Sequence, residues 1–277
     1  MLPIINNVVD IESGHQCLFQ KILGNKMAHR KIRTIISLTV LLIVALVGIV
    51  LLWPEKYYLP LRRLVRPSKT IIVPDDCKTV WQAVSRAEYG DTIFIKEGVY
   101  EAMLEFKGCL NIIGEGIDKT FIRSEYSTES VVKIYNCRGT KISNLTLEHT
   151  TKNNRTRKTG VLFIQNGFLD IENCRIRRAD GYGIFVRQRG KVNLRNCIIE
   201  DNTGSGIVVL EKGVSVNIRN CRISNNGEYG IYFDQGARGL VENNTLVNNR
   251  LDAVKIEGID TKVTSKNNSS SKNKAAS

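Results

Sequence analysis

The sequence predicts an all-β protein, a single-stranded parallel β-helix with a short N-terminal cap helix, preceded by one transmembrane helix. Three observations predict it. A motif recurs every 23 to 24 residues, apolar side chains alternate with period two inside each copy, and a run of 20 residues near the N-terminus carries no charge. In chain order, these observations divide the sequence into five parts.

The uncharged run Thr34–Trp53 is long enough for a spanning helix, and no small-residue cleavage pattern follows it, which favours a retained signal anchor. Residues 1–33 are then a basic cytoplasmic N-terminus, with Met27 as an alternative start, and residues 54–68 form a basic stalk. Basic residues flank the run on both sides, with a weak preference for the N-terminus inside. The expected localisation is a single-pass membrane protein whose repeat domain lies outside the cytoplasm.

The repeat domain is predicted over residues 69–262. The letters TIIVP read as a first strand, and Thr79 with Gln82 forms a capping box that opens a short helix. The following letters YGDTIFIKEGVYE read as turn, strand, turn and strand. Residues 263–277 are polar and low in complexity, so they are expected to be disordered.

The repeat is carried by Gly-apolar pairs and by asparagines. The pairs begin at Gly160, Gly183, Gly206, Gly230 and Ala253, and the asparagines are Asn173, Asn196, Asn220 and Asn243. Each copy contains three short strands that cannot pair with one another. Stacking successive copies lets each strand bond to its equivalent one turn away, ~4.8 Å along the axis. Like side chains therefore form columns.

Two columns have predicted structural roles. The asparagines are expected to form a buried ladder that satisfies backbone groups at a sharp bend. Cys174, Cys197 and Cys221 follow them directly and are expected to face inward as a small apolar column. A one-dimensional stack of thiols does not supply tetrahedral metal geometry, whereas a disulfide between neighbouring turns remains an alternative.

The net charge of +13 belongs mainly to the flanks, because residues 69–262 hold 28 Lys and Arg against 24 Asp and Glu. That balance argues against a whole-domain nucleic-acid surface. A local excess lies between Lys152 and Arg195, with 11 basic and 3 acidic residues. It is either a solvated charged surface or a patch that faces a polyanion.

The repeats, of the form G-I-x-V…V-x-I-x-N-C-x-I-x-x-N, resemble those of right-handed β-helix proteins of the pectin-lyase-like superfamily. The opening TVWQAVSRAEYGDTIFIKEGVYE resembles the cap and first turns of pectin-esterase-like and related carbohydrate-binding domains. The resemblance covers Lys69 to Asp260. It implies a right-handed coil and a carbohydrate partner, and it leaves the activity open among esterases, lyases, hydrolases, epimerases and non-catalytic modules.

The strand that begins at each Gly turns unusual residues outward. Its two predicted outward columns are Leu162, Phe185, Val208, Tyr232 and Lys255, then Ile164, Arg187, Leu210, Asp234 and Glu257. An exposed apolar stripe indicates a binding face or a covered one, here covered by the loop Thr150–Thr159 or by self-association. The predicted substrate-binding residues are Phe185, Arg187, Tyr232, Asp234 and Lys255, because aromatic rings stack on sugars and cations pair with uronate carboxylates.

Catalysis has weaker support. Asp234 and Glu257 lie one turn apart in one column, with Arg187 two turns from Asp234, and these three are the catalytic candidates. The sequence contains no complete catalytic motif, and no His-based triad can be assembled in the repeats. No cofactor and no metal site are predicted, although two carboxylates leave Ca²⁺ as an alternative.

The predicted function is binding of a polysaccharide or cell-envelope glycan of acidic character, with no nucleic-acid partner. Two alternatives stay open. One is a polysaccharide lyase, epimerase or glycoside hydrolase, and the other is a structural module that self-associates without binding sugar.

Overall fold

The computed structural model describes residues 37–45, 67–106, 108–126, 128–150 and 160–273, in two units that divide at Arg66 and Pro67. In the first unit residues 37–45 are helical. The rest of the predicted membrane segment Thr34–Trp53 lies outside the described residues. Among the residues that are described, no helix combines the length and apolar character that crossing a membrane requires.

The second unit begins with the predicted cap. Helix α1, Val80–Arg86, starts where the Thr79 hydroxyl accepts a hydrogen bond from the Gln82 backbone N–H at 3.1 Å, and its side chains Val80 and Ala83 are buried. An N-cap of this kind satisfies one of the unpaired donors of the first turn. The Thr79 half of the predicted capping box is confirmed.

The strands form three parallel faces, called here the first, second and third sheets. The first two belong to one 15-stranded sheet and are joined through the long strands β8 and β10, and the third is a separate 7-stranded sheet. The first sheet contains β1 Thr70–Val73, β2 Thr92–Ile95, β5 Asn111–Gly114, β8 Arg138–His149, β10 Phe168–Arg177, β12 Lys191–Arg195, β15 Ser215–Arg219, β18 Arg238–Glu242 and β21 Lys262–Lys266. The second contains β3 Gly98–Glu101, β6 Thr120–Ser124, β13 Ile198–Glu200, β16 Arg222–Ser224, β19 Thr245–Val247 and β22 Ser269–Ser271, with the C-terminal halves of β8 and β10. The third contains β4 Leu104–Phe106, β7 Val132–Tyr135, β9 Gly160–Gln165, β11 Tyr182–Arg187, β14 Ile207–Leu210, β17 Ile231–Asp234 and β20 Val254–Ile256.

The register between turns places like residues over one another. Val192 pairs with Val216, and the next inward position of the same strand, Leu194, pairs with Ile218. All four side chains are at most 2% exposed. The predicted stacking of repeats into one continuous apolar core is therefore confirmed.

The asparagines at the bend between the first and second sheets do form a column, but not a buried one. Asn173, Asn196, Asn220 and Asn243 are exposed and have φ between 52° and 57°. Asparagine tolerates this left-handed conformation better than most residues, and a sharp bend requires it. The expectation that these side chains are buried is wrong, because their role is to turn the backbone.

A buried asparagine ladder lies at the turn before the third sheet. Its members, each at most 2% exposed, are Asn202, Asn226 and Asn249. The side-chain amide of Asn202 donates to Oδ1 of Asn226, and that of Asn226 donates to Oδ1 of Asn249, each at 2.9 Å. A side chain on Gly206 would put its Cβ 2.9 Å from the Asn226 amide and 2.7 Å from the Gly230 carbonyl oxygen. Gly183, Gly206 and Gly230 are therefore required by the close approach of this ladder.

The cysteine column lies inside the coil, as expected. Cys174, Cys197 and Cys221 are buried and unoxidised. Hydrogen bonding with the Cys174 thiol, followed by burial, raises the pKa of the Cys197 thiol to about 12. Cys197 is therefore a neutral packing group at physiological pH.

The polar C-terminal segment differs from its prediction. Disorder was expected from residue 263, whereas β21 pairs with β18 and β22 pairs with β19. Asn273 accepts a hydrogen bond from the Asn249 amide at 3.1 Å and so extends the buried ladder. The ladder and the backbone bonds supply order that the low apolar content of the segment does not indicate.

Candidate functional site

The outer surface of the third sheet carries a file of aromatic rings that runs along the coil axis. We call it the aromatic face, made of Tyr135, Phe163, Tyr182, Phe185, Val208, Tyr229 and Tyr232. Strand pairing sets Phe163 beside Phe185, and Val208 beside Tyr232. Period-two alternation sends these side chains outward while their neighbours fill the core.

The rings on one side of the aromatic face contact one another in tilted or edge-to-face pairs. The ring centroids of Tyr135 and Phe163 are 5.8 Å apart, those of Phe163 and Phe185 are 5.6 Å apart, and those of Tyr182 and Phe185 are also 5.6 Å apart. Such pairs contribute about 0.5–1.5 kcal/mol beyond their area burial. Each ring therefore holds its neighbours in place.

The face continues beyond Val208, which is only 1% exposed. On its far side Tyr229 and Tyr232 stack with centroids 5.5 Å apart and planes 17° from parallel. The result is a rigid, largely apolar surface that crosses several turns of the coil.

A carboxylate cluster adjoins this end of the face. The Tyr232 hydroxyl lies 2.7 Å from Glu257 Oε2 and 3.0 Å from Asp234 Oδ2, while Lys255 Nζ lies 3.6 Å from Glu257 Oε1. The hydroxyl carries one hydrogen, so it donates to one carboxylate at a time, and Glu257 is the nearer acceptor. Burial and these two hydrogen bonds raise the pKa of Tyr232, which stays protonated as a donor.

Arg187 is positioned by a residue that the sequence did not indicate. Its Nη2 lies 2.8 Å from Glu211 Oε1, and the other oxygen of Glu211 accepts the Gln188 backbone N–H at 3.1 Å. Glu211 itself has φ 85°, in the left-handed region. The charge of Arg187 is therefore offset by Glu211.

One turn of the predicted outward columns is wrong. Leu162 and Ile164 are fully buried, and Phe163 and Gln165 take the outward positions. Ile184 pairs with Leu162, an interval of 22 residues instead of the assumed 23. A shift of one residue in a strand moves each side chain to the opposite face.

The predicted substrate-binding residues are brought together in two groups. Phe185 lies in the aromatic face, and Tyr232, Asp234 and Lys255 lie at its charged end, with Glu257. The columns predicted from the repeat spacing did not include Phe163, Tyr182 and Tyr229. The tyrosine that precedes the repeated glycine in two copies was a signal for the last two.

The described residues contain no group of three or more His, Cys, Asp or Glu side chains placed to hold a metal ion. Asp234 and Glu257 are two carboxylates, with the Tyr232 hydroxyl between them and Lys255 close by. Ca²⁺ takes six to eight oxygen ligands. The cluster does not fit calcium.

Two other features from the sequence have structural roles. His149 is 1% exposed, its Nε2 lies 2.9 Å from the Glu129 carbonyl oxygen, and burial lowers its pKa. Within the basic excess, Arg177 lies 2.7 Å from Glu148. Its neighbour Arg175 pairs with Asp118. Much of that excess, where it is described, is therefore neutralised.

A comparison with protein-family models identifies residues 130–277 as a right handed beta helix region. The match covers more than half of the sequence. The chain belongs to the right-handed β-helix family. The handedness implied by the resemblance of the repeats is thereby confirmed.

Solved structures of carbohydrate-active enzymes share this β-helix fold. The catalytic domain of a GH87 alpha-1,3-glucanase variant in complex with nigerose aligns with a TM-score of 0.57 and 18% identity, over 75% of this chain and 40% of the glucanase. The deglycosylated pectin methylesterase of Aspergillus niger aligns with a TM-score of 0.52 and 16% identity, over 74% of this chain and 86% of the esterase. At these identities the likeness is one of fold alone, and the chain spans less than half of the glucanase domain. No curated protein sequence matches the chain.

Proposed function

We propose that the protein binds a polysaccharide along the aromatic face. The observation that carries the proposal is the file of rings, with three contacts of 5.6 to 5.8 Å on one side of the buried Val208 and the Tyr229–Tyr232 stack on the other. Pyranose rings have apolar faces that pack on aromatic rings, and a file of rings along one axis suits an extended chain better than a single sugar.

The polar groups beside the rings suit sugar hydroxyls. Asp234 and Glu257 are acceptors, and Lys255 and Arg187 are donors. On this face Arg187 and Lys255 each lie within 4 Å of a carboxylate. The aromatic face therefore suits the uncharged parts of a glycan, and the acidic character expected from the sequence requires other residues.

Binding of the full-length protein to immobilised glycans tests the proposal. Replacement of Phe163 or Phe185 by Ala should weaken binding by roughly tenfold, the loss of ~1–2 kcal/mol of stacking. The matched control is Trp81→Ala, which removes an aromatic ring that is 64% exposed on the cap helix. Circular dichroism checks that each variant is folded. If Trp81→Ala weakens binding as much as Phe185→Ala, or if the wild-type protein binds no glycan, the proposal fails.

Catalysis is a second candidate, favoured by the Tyr232 hydroxyl held between Asp234 and Glu257. A polysaccharide lyase, epimerase or hydrolase would use such a group to move a proton at the sugar. Asp234→Asn would then abolish product formation while leaving glycan binding within about threefold. Unchanged binding together with no product from the wild-type protein on the glycans it binds would exclude this candidate.

Self-association is the third reading, and the same variants address it. Phe185→Asp would reduce the apparent mass in solution if the aromatic face joined two copies. If the apparent mass of Phe185→Asp equals that of the wild type, the aromatic face does not join two copies, and glycan binding is favoured.

We also propose that Thr34–Trp53 anchors the protein in a membrane, with the β-helix outside the cytoplasm. The support is the uncharged run itself. Protease added to intact cells should cleave the β-helix, whereas release of the protein by alkaline carbonate would contradict an anchor.

A further inference from the structure

A second surface lies at the N-terminal ends of strands β12, β15, β18 and β21 of the first sheet. A groove of about 540 Å³ is lined by one in-register column and by the turns that precede it. The column is Lys191, Ser215, Arg238 and Lys262, each paired with the next across one turn. Lys212, in the loop between β14 and β15, adds another cation to the lining of the groove. We call this surface the basic groove.

The charges of the basic groove are unbalanced. Lys191, Lys212, Arg238 and Lys262 are all exposed. Among the described residues, no carboxylate lies within salt-bridge distance of any of these four cations. Asp260 is the one acidic residue that lines the groove. Arg187 and Lys255 beside the aromatic face are each paired with a carboxylate, whereas these cations lining the groove are not.

Parallel stacking sets the spacing of these cations. Arg238 and Lys262 are one turn apart, ~4.8 Å, and Lys191 and Lys262 are three turns apart, ~14 Å. Because the strands fix each Cα, the charges form a single file along the coil axis. A ligand that meets all of them must be extended and must carry negative charges along its length.

Polar side chains continue the surface alongside the charges. A smaller groove of about 230 Å³ shares Lys191 and Ser215 with the first, and it is also lined by Asn193 and Asn217. The Asn217 amide donates to Asn193 Oδ1 at 2.9 Å, which fixes the orientation of both side chains. Oriented amides and a hydroxyl suit a ligand rich in hydroxyl groups.

The aromatic content of this surface argues against nucleic acid. Phe168 precedes Lys191 in the column and is 40% exposed. Its ring has Lys191 Nζ at 5.0 Å and Arg138 Cζ at 5.9 Å from the centroid. Single-stranded nucleic acids are held by successive rings on which bases stack, and one ring flanked by cations does not provide such a series.

We propose that the basic groove binds a linear anionic glycan, whose carboxylate or sulfate groups pair with Lys191, Arg238 and Lys262. This proposal does not depend on sugar binding at the aromatic face. It assigns the recognition of negative charge to the first sheet and leaves the apolar faces of sugars to the third.

The test measures binding of the full-length protein to polygalacturonate, dextran sulfate, uncharged dextran and a single-stranded oligonucleotide. The groove variant carries Lys191→Gln, Arg238→Gln and Lys262→Gln. The matched control carries Arg222→Gln, Arg250→Gln and Lys272→Gln, which removes the same charge from exposed positions on other strands and turns. Circular dichroism and the midpoint of thermal unfolding check that both variants are folded.

The groove variant should bind the anionic glycan roughly 100-fold more weakly, because each cation beside a densely anionic partner contributes about fivefold. The control should stay within about threefold of wild type, and wild-type binding should weaken as salt rises. Equal losses in both variants, equal binding of uncharged dextran, or no binding of either charged glycan would overturn the proposal. If the wild-type protein binds the oligonucleotide more tightly than either charged glycan, and the groove variant does not bind it, the groove is a nucleic-acid site. Phe185→Ala should leave polyanion binding at the groove unchanged, which separates this proposal from that for the aromatic face.

Discussion

Replacement of Asn226 by Ala should remove the central member of the buried ladder. The side-chain oxygen Oδ1 of Asn226 accepts two hydrogen bonds from Asn202. One comes from the backbone N–H of Asn202 at 3.3 Å, and the other from the side-chain amide of Asn202 at 2.9 Å. Both donors belong to a residue that is 2% exposed. Asn249 is less affected, because its oxygen still accepts the backbone N–H of residue 226 at 3.2 Å.

The expected cost follows from the two donors that lose their acceptor. A buried donor without a partner costs about 1–3 kcal/mol. Two of them should lower the free energy of unfolding by about 3–4 kcal/mol, and urea titration followed by circular dichroism measures it. The matched control is Asn225→Gly, since Asn225 is exposed with φ 58°, a conformation that glycine adopts easily. The control should change stability by about 1 kcal/mol or less. An Asn226→Ala loss no larger than that of the control would refute the assignment of this ladder as a principal support of the coil.

Three further predictions concern other described residues. Thr79→Ala should lower the free energy of unfolding by about 1 kcal/mol, measured by urea titration, because the Gln82 N–H loses its acceptor. His149 has a folded-state pKa below its unfolded value, so the unfolded chain binds the extra proton first. The midpoint of thermal unfolding should therefore fall as pH drops below about 6.5, and His149→Asn should flatten that dependence. Cys197, with its pKa raised to about 12, should resist alkylation in the native protein at pH 8 and react in urea, as mass spectrometry of its peptide would report.

The two proposed surfaces follow from the same architecture. A coil with three sheets turns separate columns toward separate directions, so one chain can present aromatic rings on one sheet and cations on another. In each column the strands fix the backbone spacing, and the sequence chooses only the side chain. Such columns suit extended ligands, because both the site and the ligand repeat along one axis.

Much of the fold could be predicted from the sequence. The period of the repeats, the alternation inside them and the capping residues at Thr79 and Gln82 are local signals, and local geometry determines their outcome. Phe185, Tyr232, Asp234 and Lys255 were expected on one outer surface for the same reason. The aromatic face was incomplete in that prediction, because Phe163 faces outward only once the interval of 22 residues is known.

The sequence by itself determined that successive segments stack, since short alternating strands have no other way to satisfy their backbone bonds. Only the tertiary structure decided which asparagines are buried. Asn196 and Asn202 are both asparagines of the same repeat. Asn196 is exposed at a bend of the backbone, whereas Asn202 is buried and forms hydrogen bonds inside the coil. The structure alone also revealed the basic groove, because Lys191, Arg238 and Lys262 lie tens of residues apart in the chain and become neighbours only through the register between turns.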